Sequence, residues 1–305
     1  MSNQFGEREA KAAGTLIEAA FREDLAHAGD LTCRALLDPE RTATVAVVSR
    51  DVGVLAGVPV ARLVFSQRQR GICFESRLND GERLQPGSAI ADVSGPLDAI
   101  LTAERTALNF LTHLSGVATT TRMFVDAVAG TKARILDTRK TLPGLRVLEK
   151  YAVRVGGGCN HRMGLYDGIL IKDNHLAGLA AGDEGPSIAD VVRRARAALS
   201  GPSNGLPLQV EVDTLDQLRD ALGGGPDSVL LDNASAATLR EAVALRDELA
   251  PHVQLEASGG VTLETVREIA ETGVERISVG ALTHSAGYLD IGFDWAMRQR
   301  GRGTT

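Results

Sequence analysis

From Gly130 onward the chain repeats one pattern: a short apolar run, a polar tip, then a stretch with helical spacing. The runs fall at 132–137, 168–172, 208–213, 228–232, 253–258 and 276–280, and helical patterns follow at 188–199, 215–222, 236–249 and 263–271. Strands that are apolar on both faces and alternate with helices form a parallel sheet whose outer face the helices cover. Six such strands predict a closed or nearly closed α/β barrel.

The residues at the tips are the informative part. In order they are Asp137 with Arg139 and Lys140, Lys172, Glu211 with Asp213, Asp232, Ser258-Gly259-Gly260, and Gly280. In an α/β barrel every strand C-terminus reaches one rim, and active sites are built there. A plain alternative is that each polar tip caps the next helix, a task that suits Asp or Ser. Capping does not account for Lys172 or Glu211, so the tips are expected to converge on a site.

Charge is unevenly distributed. Between Lys132 and Lys172 stand nine Lys/Arg against three acids, a local excess of six in a chain of formal net charge −6. Clustered positive charge in a cleft focuses small anions. Within this stretch Arg146, Glu149, Lys150 and Arg154 lie beside an apolar stripe of Leu145, Leu148, Ala152 and Val155, and are expected to form the solvated face of a helix. Arg139-Lys140, His161-Arg162 and Lys172-Asp173-Asn174-His175 instead sit among Gly, Pro and Asn, where side chains reach ligands more often than cores.

The first 129 residues read differently. A helix is expected over 7–25, then short strands at 42–49, 53–60, 72–77 and 88–94, and then a helical pattern over 97–129 interrupted at Gly116. Arg105, flanked by Ile100, Leu101, Leu108 and Leu111, would ordinarily snorkel or pair with a neighbour. The start of the chain has no apolar run of the signal-peptide kind, and no stretch has the length to span a bilayer, so a cytoplasmic protein is expected. Three scattered cysteines, Cys33, Cys73 and Cys159, form no C-x-x-C pair and are expected as buried free thiols. An acidic total and 4% aromatic residues argue against a nucleic-acid partner.

A rim with several cations, two or more carboxylates and two glycine-rich turns suits anionic ligands. Arg forks onto planar carboxylates and Lys serves as a point charge. Ser258-Gly259-Gly260 and Gly280-Ala281 look like the late-strand phosphate sites of barrels. Glu211 and Asp232 could then bind sugar hydroxyls or help hold Mg²⁺. The pocket thus suits a phosphorylated sugar with a carboxylate-bearing second molecule. An aldolase-type barrel with a Schiff base on Lys172 would use that lysine, but leaves Arg139 and Arg162 unexplained.

Several motifs closely resemble the quinolinate phosphoribosyltransferase family. They include Asp137-Thr138-Arg139-Lys140-Thr141, Pro143-Gly144-Leu145-Arg146, Gly156-Gly157-Gly158, Asn160-His161-Arg162 and Ile171-Lys172-Asp173-Asn174-His175. Further matches are Glu211-Val212-Asp213, Leu231-Asp232-Asn233, Ser258-Gly259-Gly260 and Val279-Gly280-Ala281-Leu282-Thr283-His284, with Glu104-Arg105 towards the N-terminus. The resemblance spans nearly the whole chain, and the Gly-, Pro- and Ser-rich parts around 180–186 and 200–207 look like lengthened surface loops.

The resemblance implies a small N-terminal α+β sandwich domain over 1–129, joined by the tail 285–305, and an incomplete barrel of about six parallel strands over 130–284. It implies a reaction of quinolinate with phosphoribosyl pyrophosphate, giving nicotinate mononucleotide, pyrophosphate and CO₂ in de novo NAD synthesis. Arg139, His161, Arg162 and Lys172 would surround the pyridine dicarboxylate. Lys140, Glu211 and Asp232 would face the phosphoribosyl pyrophosphate, Ser258, Gly259, Gly260 and Gly280 would cradle its 5′-phosphate, and Thr138, Val279 and Ala281 would also belong to the substrate-binding set. Lys140, Lys172, Glu211 and Asp232 would carry the catalytic roles. Mg²⁺ would sit near Glu211 and Asp232, directly or through water or pyrophosphate, with no organic cofactor. Arg105 would reach the site of a neighbouring subunit in a homodimer, with assembly into hexamers left open.

Overall fold

The computed structural model describes residues 4–68, 71–179, 185–199 and 205–295. Most of the two stretches expected to lengthen surface loops, 180–184 and 200–204, lies outside the described residues. The chain divides into two compact units, one made of Met1–Thr120, Leu142–Gly156 and Ala286–Thr305, the other of Thr121–Thr141 and Gly157–Ser285. Among the described residues no helix is long and apolar enough to cross a membrane.

The first unit holds a four-stranded antiparallel sheet, with Ile291–Trp295, Thr42–Ser49, Ala89–Pro96 and Cys73–Ser76 side by side in that order. Val45, Val47, Ala91 and Val93 give it a fully buried apolar face. The helix Glu7–Leu25 forms where its spacing predicts. The strand expected over 53–60 stops at Val54. Asp80 is the cause: its carboxylate accepts the N–H groups of Gly57 and Val58, both at 2.9 Å, and so satisfies the first amides of a helix Val58–Arg68.

The helix Leu97–Ala127 is continuous through Gly116, where an interruption was expected. A Cβ at Gly116 would lie 1.8 Å from the carbonyl oxygen of Gly287. Glycine is there to admit a passing backbone, and a helix tolerates it.

The helix Arg146–Val155 also departs from expectation, because most of its charges are not solvated. Glu149 and Lys150 are fully buried and Arg154 is nearly so. Glu149 shares a 2.9 Å hydrogen bond with His113 Nε2 and accepts the N–H of Leu142 at 3.2 Å. Arg154 donates to Glu9 at 2.8 Å, and Tyr151 Oη donates to Asp80 at 2.6 Å. Periodicity finds the apolar stripe of such a helix, but it cannot see partners that allow the charged side to be buried too. Of the cysteines, all free, Cys33 is buried and Cys159 half-buried, whereas Cys73 is exposed, contrary to expectation.

The second unit is built on six parallel strands, here β1 (Arg134–Leu136), β2 (Ile169–Ile171), β3 (Leu208–Val212), β4 (Ser228–Asp232), β5 (Gln254–Ser258) and β6 (Arg276–Ser278). They lie in the order β1-β6-β5-β4-β3-β2. The first two strands in sequence are thus the two edges, and the barrel is incomplete between them. On that side β1 gains the bridge Leu136 to Cys159. Val210, Val229, Leu255 and Ile277 are fully buried, as are Leu218, Ala221, Leu239, Ala242 and Val266 on the helices that follow the strands. The helices after β3 and β4 have their own caps, Thr214 on Gln217 and Ser235 on Thr238. Glu211 and Asp232 at the strand tips therefore carry no capping task.

Candidate active site

A cavity of about 590 Å³ opens at the C-terminal ends of the six strands. Its wall includes Thr138, Arg139 and Lys140 after β1, His161 and Arg162 from the following turn, and Lys172 after β2. Glu211 of β3, Asp232 of β4, Ser258 to Thr262 at and after β5, and Gly280 and Ala281 after β6 complete it. The tip residues Asp137 and Asp213 are not on this wall, and neither are two of the residues expected to bind substrate. Val279 is a buried residue of the β6 connection, and Arg105 is an exposed residue of the first unit.

Strand alternation explains the layering. Side chains two residues apart share a face, so each tip stands above an inward residue of its own strand: Lys172 above Leu170, Asp232 above Leu230, Ser258 above Glu256, and Gly280 in line with Ser278. Lys172 and Glu211 form an ion pair across the adjacent strands β2 and β3. At partial exposure such a pair is weakly stabilising and readily exchanged for a ligand contact.

Backbone anchors set the cationic side of the cavity. Asp137, fully buried, accepts the N–H of His161 at 2.8 Å and Asn160 Nδ2 at 2.6 Å, fixing the turn that presents His161 and Arg162. Asp167 accepts the N–H groups of Met163 and Gly164. Thr283 Oγ1 donates to the carbonyl of Lys140 at 2.7 Å, while the Lys140 N–H donates to Thr138 Oγ1 at 3.0 Å. Burial first, and then repulsion from Arg139, lower the pKa of Arg162.

The glycine turn after β5 is shaped by Asn233. Gly259 has φ +89°, and a Cβ there would lie 2.3 Å from Asn233 Oδ1. Asn233, itself left-handed at φ +51°, donates its N–H to the Ser258 carbonyl at 2.8 Å and its Nδ2 to Asp232 at 2.7 Å. One residue thus braces both an acidic tip, through its side chain, and a turn with exposed amides, through its backbone. Such a turn suits a phosphate.

Beneath the mouth lies a polar network that the sequence reading missed. Glu256 is fully buried; its Oε2 accepts Arg276 Nε at 2.7 Å and Gln209 Nε2 at 3.0 Å. Gln209 Oε1 is 3.0 Å from His161 Nε2, and His161 Nδ1 accepts the N–H of Arg162 at 2.8 Å. Burial alone would raise the Glu256 pKa, but its contacts with His161 and Arg276 more than offset this and bring it to about 2. Its Oε1 has no hydrogen-bond partner among the described residues and lies 3.4 Å from His161 Nε2, too long for a good bond. The signal was present in the sequence, since an acid inside an apolar strand two residues before a site tip must face the same way as the tip.

Comparisons with known proteins point to one family. Residues 30–115 match the family model for the N-terminal domain of quinolinate phosphoribosyl transferase, and residues 117–294 match the model for its C-terminal domain. The chain is 49% identical over 288 residues to the nicotinate-nucleotide pyrophosphorylase [carboxylating] of Mycobacterium leprae (strain TN), covering 94% of this chain and 98% of the relative. It is 42% identical over 279 residues to a probable enzyme of the same description from Bacillus subtilis (strain 168), covering 92% of each. The solved structure of the nicotinate-nucleotide pyrophosphorylase from Francisella tularensis superposes with a TM-score of 0.86 at 36% identity, covering 96% of this chain and 98% of that one.

Proposed function

The chain belongs to the quinolinate phosphoribosyltransferase family, and on that premise we propose that the mouth at the six strand tips is where its two substrates meet. The enzyme joins quinolinate to phosphoribosyl pyrophosphate and releases nicotinate mononucleotide, pyrophosphate and CO₂, a step of de novo NAD synthesis. The observation that carries the site assignment is the gathering of Arg139, Arg162, Lys172, Glu211, Asp232 and the Ser258–Gly260 turn on one cavity wall.

Arg139, Arg162 and Lys172 hold the two carboxylates of quinolinate, with His161 beside them, and orient the ring nitrogen towards the sugar. Gly259, Gly260 and Gly280 offer backbone amides to the 5′-phosphate, supported by Ser258. Glu211 and Asp232 face the ribose, where departure of pyrophosphate builds positive charge that carboxylates stabilise, and Lys140 offsets the charge of the leaving group. The ring nitrogen attacks the anomeric carbon as the C–O bond to pyrophosphate breaks, giving a pyridinium. When the adjacent carboxylate leaves as CO₂, the electrons of the broken C–C bond rest on the ring carbon beside that positive nitrogen, and they then form a C–H bond with a proton. No organic cofactor and no covalent enzyme intermediate are needed.

Glu211 and Asp232 fit Mg²⁺ of the kind that is held by one or two carboxylates together with substrate phosphates and water. Among the described residues there is no group of three ligating side chains, and Mg²⁺ held in this way requires none. When bound, the ion would neutralise charge on the pyrophosphate. Arg105, exposed on the helix Leu97–Ala127, would complete the site of a second copy of the chain in a homodimer. We place the enzyme in the cytoplasm. Loss of quinolinate absorbance that requires both phosphoribosyl pyrophosphate and Mg²⁺ supports this reading, and loss that needs neither contradicts it.

A further inference from the structure

We propose that Glu256 is a positioning residue: through Gln209 and His161 it dictates the hydrogen-bond polarity that fixes the Arg162 backbone, and thereby the seat of the quinolinate carboxylates. The inference rests on Arg162 being part of that seat.

The chain of bonds has donors that cannot change at both ends. Arg276 Nε–H can only donate, so Glu256 Oε2 accepts. Gln209 Nε2 donates to the same oxygen, which turns Gln209 Oε1 towards His161 and requires a hydrogen on His161 Nε2. That tautomer leaves a lone pair on Nδ1, and the lone pair receives the N–H of Arg162, a donor that cannot reverse. A ring protonated on both nitrogens would set two donors against each other at Arg162. One assignment satisfies every link, with His161 neutral and both its ring nitrogens engaged inside the protein. His161 therefore acts on substrate mainly by holding Arg162, and Glu256, at the base of the cavity and wholly removed from solvent, is the acceptor that sets the direction of the chain.

The test uses one isosteric change and one spectroscopic measurement. In Glu256→Gln the amide oxygen must take the place of Oε2, where it still accepts from Arg276 and Gln209, so the NH₂ group takes the place of Oε1 and faces the N–H of His161 Nε2 across 3.4 Å. Relief requires the His161 hydrogen to move to Nδ1, which opposes the Arg162 N–H. Leaving one buried donor unsatisfied predicts a rise in the quinolinate KM of about tenfold or more, with the KM for phosphoribosyl pyrophosphate unchanged. In the parent, nitrogen NMR of the His161 ring is expected to show a hydrogen on Nε2 alone. A raised quinolinate KM in Glu256→Gln together with that tautomer in the parent supports the proposal. A wild-type KM in Glu256→Gln, or a parent ring carrying a hydrogen on Nδ1, overturns it; should the variant fail to fold, the NMR measurement decides by the same criterion. Arg162→Ala is the control for the underlying site. If it leaves the quinolinate KM unchanged the seat itself is misplaced, whereas a raised KM there with none in Glu256→Gln refutes only the role of Glu256.

Discussion

Arg139 stands close enough to Arg162 for its charge to deepen the fall in the Arg162 pKa that burial begins. Two like charges held together at one cavity wall cost free energy until a doubly charged anion joins them, so the pair suits a dicarboxylate. Quinolinate is therefore expected to bind far more tightly than nicotinate, which has one carboxylate fewer. Replacing Arg162 with Ala should weaken quinolinate binding by about 2–4 kcal/mol, the usual cost of stranding one member of a desolvated charge pair. Calorimetric titration of both ligands into both proteins checks this, and equal affinities for the two acids would refute it.

The glycine turn gives a prediction for the other substrate. At Gly259 any side chain meets both a left-handed φ and Asn233 Oδ1. Strain of about 1–3 kcal/mol is expected for Gly259→Ala, expressed as a tenfold or larger rise in the KM for phosphoribosyl pyrophosphate while the quinolinate Kd stays the same. A variant that lost both affinities together would show that the two subsites are not separate.

The proposed sharing of Arg105 between subunits predicts complementation. Arg105→Ala should lose turnover but melt like the parent, as expected for an exposed side chain that makes no hydrogen bond or ion pair among the described residues. Mixed with Arg162→Ala under subunit exchange, it should regain about a quarter of parental activity, because half the dimers are mixed and each mixed dimer of an isologous pair has one intact site. Activity that stays at the sum of the two variants would place Arg105 in its own subunit's site or outside any site.

Acid stability should depend on Glu275. Burial acts to raise its pKa, but bonds from Arg246, Lys132 and the Leu255 N–H prevail and hold it at about 2 against an ordinary 4.5. Because the folded value is the lower one, the unfolded chain binds more protons between them. The contribution, on the order of 2–3 kcal/mol, is complete above about pH 4.5 and is lost as pH falls towards 2. Urea unfolding should show Glu275→Gln less stable than the parent at pH 7 and nearly equal to it near pH 2. A constant difference across that range would contradict the assignment.

Much of this molecule could be read from its residues, for identifiable reasons. The six strands announce themselves because a parallel strand is apolar on both faces, and their tips stand out because charge there interrupts apolar runs. Glu256 and Gln209 escaped notice because their reach into the site depends on register, since each lies two residues before a tip that was recognised. The buried charges of Glu149, Lys150 and Arg154 escaped for another reason. Burying them takes partners such as His113 and Glu9, which are 36 and 145 residues distant in sequence. Gly116 misled because the backbone that needs its missing side chain belongs to Gly287, near the far end of the chain.

The central claim is that one mouth seats two anions side by side, and a crystal soaked with quinolinate and an unreactive phosphoribosyl pyrophosphate analogue tests it most directly. Quinolinate density is expected against Arg139, Arg162 and Lys172, with the 5′-phosphate on the Ser258–Gly260 turn and Gly280 and the ribose between Glu211 and Asp232. Density for either ligand away from this wall, or mutually exclusive occupancy of the two, would contradict the account.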